Sequence, residues 1–238
     1  MIFQDPDPFG IGPLPGQVKE ILELQKDLGR KFLPWSKKTP AAPEALNYIP
    51  GTLFDSLSAL SQAVSQCRRC TLYNGRRQAV PGRGASRARL MVIGSGPDRE
   101  DDLQGRPFSG PDGELLTKML QAIQLNREDV YLTQVIKCRT PEGRPPTQEE
   151  IESCGLFLRE EIRLVNPDIL TALGEGAAKT LIQTNKNLSD LRGRWWPVQN
   201  RNLMATFHPA FLRANPGAKR EAWEDLKKIR RKYDELAQ

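Results

Sequence analysis

The chain holds no apolar run approaching the roughly 20 residues that a membrane span needs, and its hydrophobic fraction is a modest 38%. No secretory leader is recognisable at its start, so the context reads as cytoplasmic, which disfavours pairing its four cysteines into disulfides. A second close cysteine pair is also missing. Cys67 and Cys70 form one C-x2-C, whereas Cys138 and Cys154 are solitary. Zinc ribbons usually supply two such pairs. Four thiolates suit either a structural zinc or an iron–sulfur cluster, and the asymmetry favours a [4Fe–4S] cluster on Cys67, Cys70, Cys138 and Cys154. Four ordinary buried thiols are the remaining reading. Histidine is scarcer still: His208 is the only one.

What is present is unevenly distributed. The net charge is +6 over 238 residues, and the positive excess falls after residue 66, so a polyanion, nucleic acid first, is the expected partner. Residues 1–16 are rich in Pro and Gly and read as extended. Gln17–Phe32 carries a helical stripe (Val18, Ile21, Leu22, Leu24, Leu28, Phe32) that suits docking on the body or on a protein partner. Residues 33–50 return to linker composition, which places an arm at 1–50 and the main domain at 51–238.

The main domain alternates. Four apolar runs of strand length (89–94, 130–136, 168–174 and 202–207) are separated by helical patterns at 113–123, 147–164 and 175–183. A last helix covers 217–236, and another at 55–66 leads into Cys67. Thr147 and Glu150 make a capping box at the start of the helix that carries Cys154. Crossovers of this length predict an α/β/α sandwich around a central, mainly parallel four-stranded sheet. In such sheets ligands bind beyond the carboxyl ends of the strands. There stand the loop GSGPDREDDLQGRPFSG (94–110), Gln134, and His208 followed by Pro209.

Several motifs in order resemble the family 4 uracil-DNA glycosylases, over roughly residues 60–235. They are the C-x2-C, the 94–110 loop, V-I-K-C-R at 135–139, Cys154 in its helix, L-R-G-R-W at 191–195, F-H-P-A-F-L-R at 207–213 and W-E-D-L at 223–226. The resemblance implies a monomeric DNA repair enzyme with a structural [4Fe–4S] cluster. Such enzymes extrude a deaminated base and hydrolyse its N-glycosidic bond, leaving an abasic site.

The resemblance also assigns roles. His208 would stabilise charge developing on the departing base, and Phe108 would be the platform on which the base stacks. Gly94, Gly96 and Pro97 would shape the pocket, while Leu212 and Arg213 would press into the duplex. Arg192 and Arg194, with the arginines at 76–89, would meet phosphates. Two positions depart from the family pattern. Its loop usually reads G-E-A-P-G, and here Ser95 replaces the glutamate that would position water; Asp98, Glu100 or Asp101 could take over. Gln134 stands where asparagine usually reads the uracil edge, and one methylene in a fitted site is worth about 1–3 kcal/mol. Both departures favour an alternative, a catalytically weak or inactive protein of this fold that binds DNA or abasic sites.

Overall fold

The computed structural model describes residues 53–236; the expected helix at 17–32 and the arm at 1–50 lie outside them. Six strands form one sheet: β1 (Arg83–Gly84), β2 (Leu90–Gly94), β3 (Tyr131–Gln134), β4 (Ile169–Leu173), β5 (Trp195–Val198) and β6 (Arg201–Thr206). Their order is β1-β3-β2-β4-β6-β5. The four inner strands run parallel, and β1 and β5 pair antiparallel with β3 and β6 at the two edges.

The expectation of a four-stranded, mainly parallel sheet is therefore corrected to six strands of mixed direction. The four apolar runs are the inner strands. Those strands are covered on both faces and so read as continuous hydrophobic stretches. The edges carry no such signal. β1 is two residues within an Arg/Gly-rich loop, and β5 contains Pro197, which a strand tolerates only where its missing N–H faces outward.

Helices pack against both faces. They are α1 (Leu57–Gln66), α2 (Arg99–Gln104), α3 (Gly110–Ala122), α4 (Gln148–Val165), α5 (Glu175–Ile182), α6 (Leu188–Leu191), α7 (Pro209–Ala214) and α8 (Lys219–Glu235). Successive side chains of β2 point to opposite faces. Met91 and Ile93 enter a core with Leu60 of α1 and Phe157 and Leu158 of α4. Leu90 and Val92 enter a second core with Leu116 and Leu120 of α3 and Leu226 and Ile229 of α8. The capping box at α4 is formed: the Glu150 N–H donates to Thr147 Oγ1 (3.3 Å) and the Thr147 N–H donates to the Glu150 carboxylate (2.8 Å). Parallel pairing brings the carboxyl ends of all four inner strands to one rim of the sheet. Register there sets Gly94 beside Gln134, and Leu173 beside Thr206.

Candidate active site

That rim collects the residues that alternation alone placed at strand ends. Gly94, Phe108 and Gln134 meet at one point. A Cβ on Gly94 would collide with Gln134 Oε1 and stand 2.9 Å from the Phe108 ring. The Phe108 ring lies 6.0 Å from that of His208. Phe108 is buried and has φ 55°, a left-handed conformation that costs a bulky residue about 1–2 kcal/mol and persists only where its surroundings impose it. Arg127 helps impose it, donating to the carbonyls of Pro107 (3.1 Å) and Gly113 (3.2 Å).

Asp101 does more. It is 2% exposed. Its Oδ1 accepts from the Ser109 N–H (2.7 Å) and its Oδ2 accepts from Gln134 Nε2 (3.0 Å). Burial pushes its carboxyl up to about 6, against the lowering pull of the backbone N–H of Ser109. The Gln134 side chain is thereby held by its nitrogen, and its Oε1 is buried with no hydrogen-bond partner. Below it, Lys137 Nζ donates to the Gln134 carbonyl, Thr133 Oγ1 and Glu161 Oε2, each at 2.7 Å. Glu161 Oε1 in turn accepts from the Gly82 N–H (2.9 Å). This buried ion pair ties the end of β3 to α4 and to the loop before β1.

His208 is the N-cap of α7, and Nδ1 accepts from the Ala210 N–H (3.2 Å). An accepting Nδ1 leaves the proton on Nε2. Burial lowers the pKa of the imidazole, opposed by the nearby charges of Asp112 and Asp98. The ring is thus a neutral donor through Nε2. Gly174, at φ +84°, backs it: a side chain there would be strained and would press to 3.2 Å of the His208 Cβ. Alternation could not single out this glycine, because its role is to make room for a residue on another strand.

Of the other expected site residues, Pro97 is buried and Ser95 and Gly96 are partly buried in the loop after β2. The Ser95 Oγ packs against Gly176 at the start of α5, in a cleft shared with Lys179 and Gln148. No carboxylate occupies position 95, and Asp98 caps α2 by accepting from the Asp101 N–H (2.8 Å). Leu212 is 1% exposed and packs in the second core, so its burial does not suit insertion into a duplex. The exposed neighbour is Phe211, stacked on Phe207 at 5.0 Å.

The arginines divide in the same way. Arg192 is committed to α8, bridging Glu221 (2.7 Å) and Asp225 (2.9 Å) while covering the Phe207 ring. Arg89 pairs with Asp168 at the opposite rim, and Arg76 donates to Cys138 Sγ. Arg194 lies exposed over Trp196, and Arg213 is half exposed beside Asp112. In the sequence Asp101 is one of three candidate substitute carboxylates, and no local pattern singles out Arg127, Gly174 or Phe211. Nothing in a run of four acids in five residues says which faces inward.

The four cysteines line one cavity, with Arg76, Lys137 and Phe157, but its volume is only about 10 Å³. Among the described residues no group of three or more His, Cys, Asp or Glu side chains is placed to hold a metal ion. Cys138 accepts from Arg76 Nη1 (3.0 Å) and Cys154 from the Lys137 N–H (3.2 Å). Burial pushes the Cys154 thiol up to about 12. The expected [4Fe–4S] cluster does not fit this arrangement, and the fourfold cysteine reading is corrected to buried and half-buried thiols. Among the described residues no helix is long and apolar enough to cross a membrane.

The family model of the Uracil DNA glycosylase superfamily matches residues 81–227. The chain is 36% identical over 183 residues to a type-4 uracil-DNA glycosylase of Archaeoglobus fulgidus, covering 74% of this chain and 92% of that protein. It is 37% identical over 180 residues to the type-4 uracil-DNA glycosylase of Thermotoga maritima, covering 73% and 93%. A type-5 uracil-DNA glycosylase of Pyrobaculum aerophilum is 32% identical over 155 residues, covering 58% and 68%.

Proposed function

The chain belongs to the uracil-DNA glycosylase superfamily, alongside its type-4 members, and from that premise we propose that it excises uracil or a related deaminated base from DNA. The observation that carries this reading is the neutral His208, whose Nε2–H is left free by the Nδ1 contact and stands across from the Phe108 ring. When the N-glycosidic bond breaks, its electron pair goes to the base and collects on a carbonyl oxygen. A preorganised donor aimed there lowers the barrier without reorganising. The extruded base stacks on Phe108 and is read at its edge by Gln134, with Gly94, Gly96 and Pro97 forming the close wall.

Water then adds to the sugar carbon, and its proton leaves to solvent. Ser95 orients this water through its hydroxyl rather than acting as a base, and the negative charge of Asp98 favours the cationic sugar. The leaving base carries the electron pair, so water needs little activation. Residues 51–238 form the catalytic unit. Arg194 and Arg213 contact phosphates, which makes binding salt-dependent. Residues 1–50 are a candidate arm for a protein partner.

The test is alkali-revealed strand cleavage of labelled oligonucleotides carrying uracil, hypoxanthine or xanthine, with His208→Ala as the control. Base release that falls about 100- to 1000-fold in the variant supports the reading. No release from any substrate, with DNA still bound, overturns it. The absence of a carboxylate at Ser95 favours a second reading for that outcome, a DNA- or abasic-site-binding protein. In that case the double variant S95E/Q134N gains uracil release.

A further inference from the structure

Gln134 presents an amide, and an amide can offer a base either an oxygen or an N–H. Its orientation is therefore a choice of substrate. Three contacts make that choice in this protein. Asp101 Oδ1 is taken by the Ser109 N–H, so the carboxylate cannot turn away. Its Oδ2 accepts from Gln134 Nε2, and a carboxylate can only accept, so the Gln134 nitrogen must face it. Gln134 Oε1 is left buried without a partner, at the point where Gly94 lacks a side chain and the Phe108 ring closes in. A buried acceptor without a donor is costly unless a ligand supplies one.

Resting on the glycosylase reading and deepening it, we propose that Asp101 is a positioning residue that locks the Gln134 amide as an acceptor, so that the pocket selects bases presenting a ring N–H. Deamination creates that hydrogen. Cytosine has a bare ring nitrogen where uracil has N3–H, and adenine has a bare nitrogen where hypoxanthine has N1–H. A fixed acceptor meets the deaminated base with a hydrogen bond and its parent with two facing lone pairs. One locked amide thus rejects the two parent bases, cytosine and adenine, whatever the ring size. The extra methylene of glutamine carries the oxygen to the Gly94 wall, where a Cβ would collide with it.

Asp101→Asn tests the lock. Oδ1 of the new side chain keeps the Ser109 N–H, so Nδ2 faces Gln134 and turns its amide over, presenting N–H to the base. Single-turnover release of uracil by the full chain then falls about 100-fold or more, since a site built to bond one hydrogen-bonding partner rejects its opposite by such factors. The loss vanishes in a Gln134→Leu background, because Asp101 acts through that amide. A second measurement uses the wild type alone: an oligonucleotide carrying N3-methyluracil, which has no ring N–H, is released at least about 100-fold more slowly than one carrying uracil. Equal release of the two bases, or an Asp101→Asn loss as large without Gln134 as with it, overturns the proposal. A wild type that releases no base overturns the glycosylase reading itself, so the two failures are distinct.

Discussion

Replacing Asp101 by Asn should also change how stability depends on pH, with a sign opposite to that of most carboxylates. In the fold the carboxyl is raised from 3.8 to about 6, chiefly by burial. The folded state therefore binds a proton more tightly than the unfolded chain does. Between those two values the native protein holds a proton that the unfolded chain has released, so unfolding free energy falls as pH rises through the window. Above about pH 6 the full cost of burying the ionised group is present; below the unfolded value it is gone.

Integrated from about pH 5 to about pH 8, this one group lowers stability by roughly 1.4 kcal/mol. The asparagine variant has no such term. Urea unfolding of both proteins at the two pH values isolates it, because groups common to both cancel in the difference. Asp98, the N-cap of that helix, whose negative charge also raises the Asp101 carboxyl, is exposed and remains in both proteins. The expected result is a variant that gains about 1.4 kcal/mol relative to wild type between acid and alkaline conditions, with an unchanged denaturant slope. A difference that is flat with pH, or that shrinks as pH rises, refutes the argument that burial outweighs the Ser109 N–H.

Other substitutions separate residues that sequence alone treats alike. Leu212→Ala removes a side chain that is 1% exposed and should cost about 2–5 kcal/mol by chemical unfolding. Phe211→Ala should leave stability nearly unchanged and weaken DNA binding about tenfold in a fluorescence titration, as expected for loss of one stacking surface; the reverse pattern would restore Leu212 as the inserted residue. Arg192→Ala should lower the melting temperature by stranding the buried Asp225, whereas Arg194→Ala should reduce the salt slope of DNA binding by about one with little effect on melting. Gly174→Ala combines left-handed strain with pressure on the His208 Cβ, so kcat should drop more than KM rises.

The sequence by itself determined the elements that carry strong local signals. Inner strands covered on both faces must be continuously apolar, and 90–94, 169–173 and 201–206 are largely so. The capping box at Thr147 and Glu150 is a contact three residues apart, and it forms as expected. Gln134 and His208 were legible as residues of the rim, because parallel strands put their carboxyl ends on one side, which follows from topology alone.

Only the tertiary structure decided the rest. The edge strands exist because β3 and β6 offer unpaired rims, and neither β1 nor Trp195–Val198 has a pattern of its own. Which of Asp98, Glu100, Asp101 and Asp102 lies inside depends on the docking of a six-residue helix. The same holds for Phe211 and Leu212, adjacent in sequence and opposite in exposure, and for Arg192 and Arg194, one held by α8 and one facing water. The spacing of four cysteines suggested a cluster, but spacing does not say how near the sulfurs come or what else bonds them. Burial and long-range hydrogen bonds set those relations, and both are properties of the packed chain.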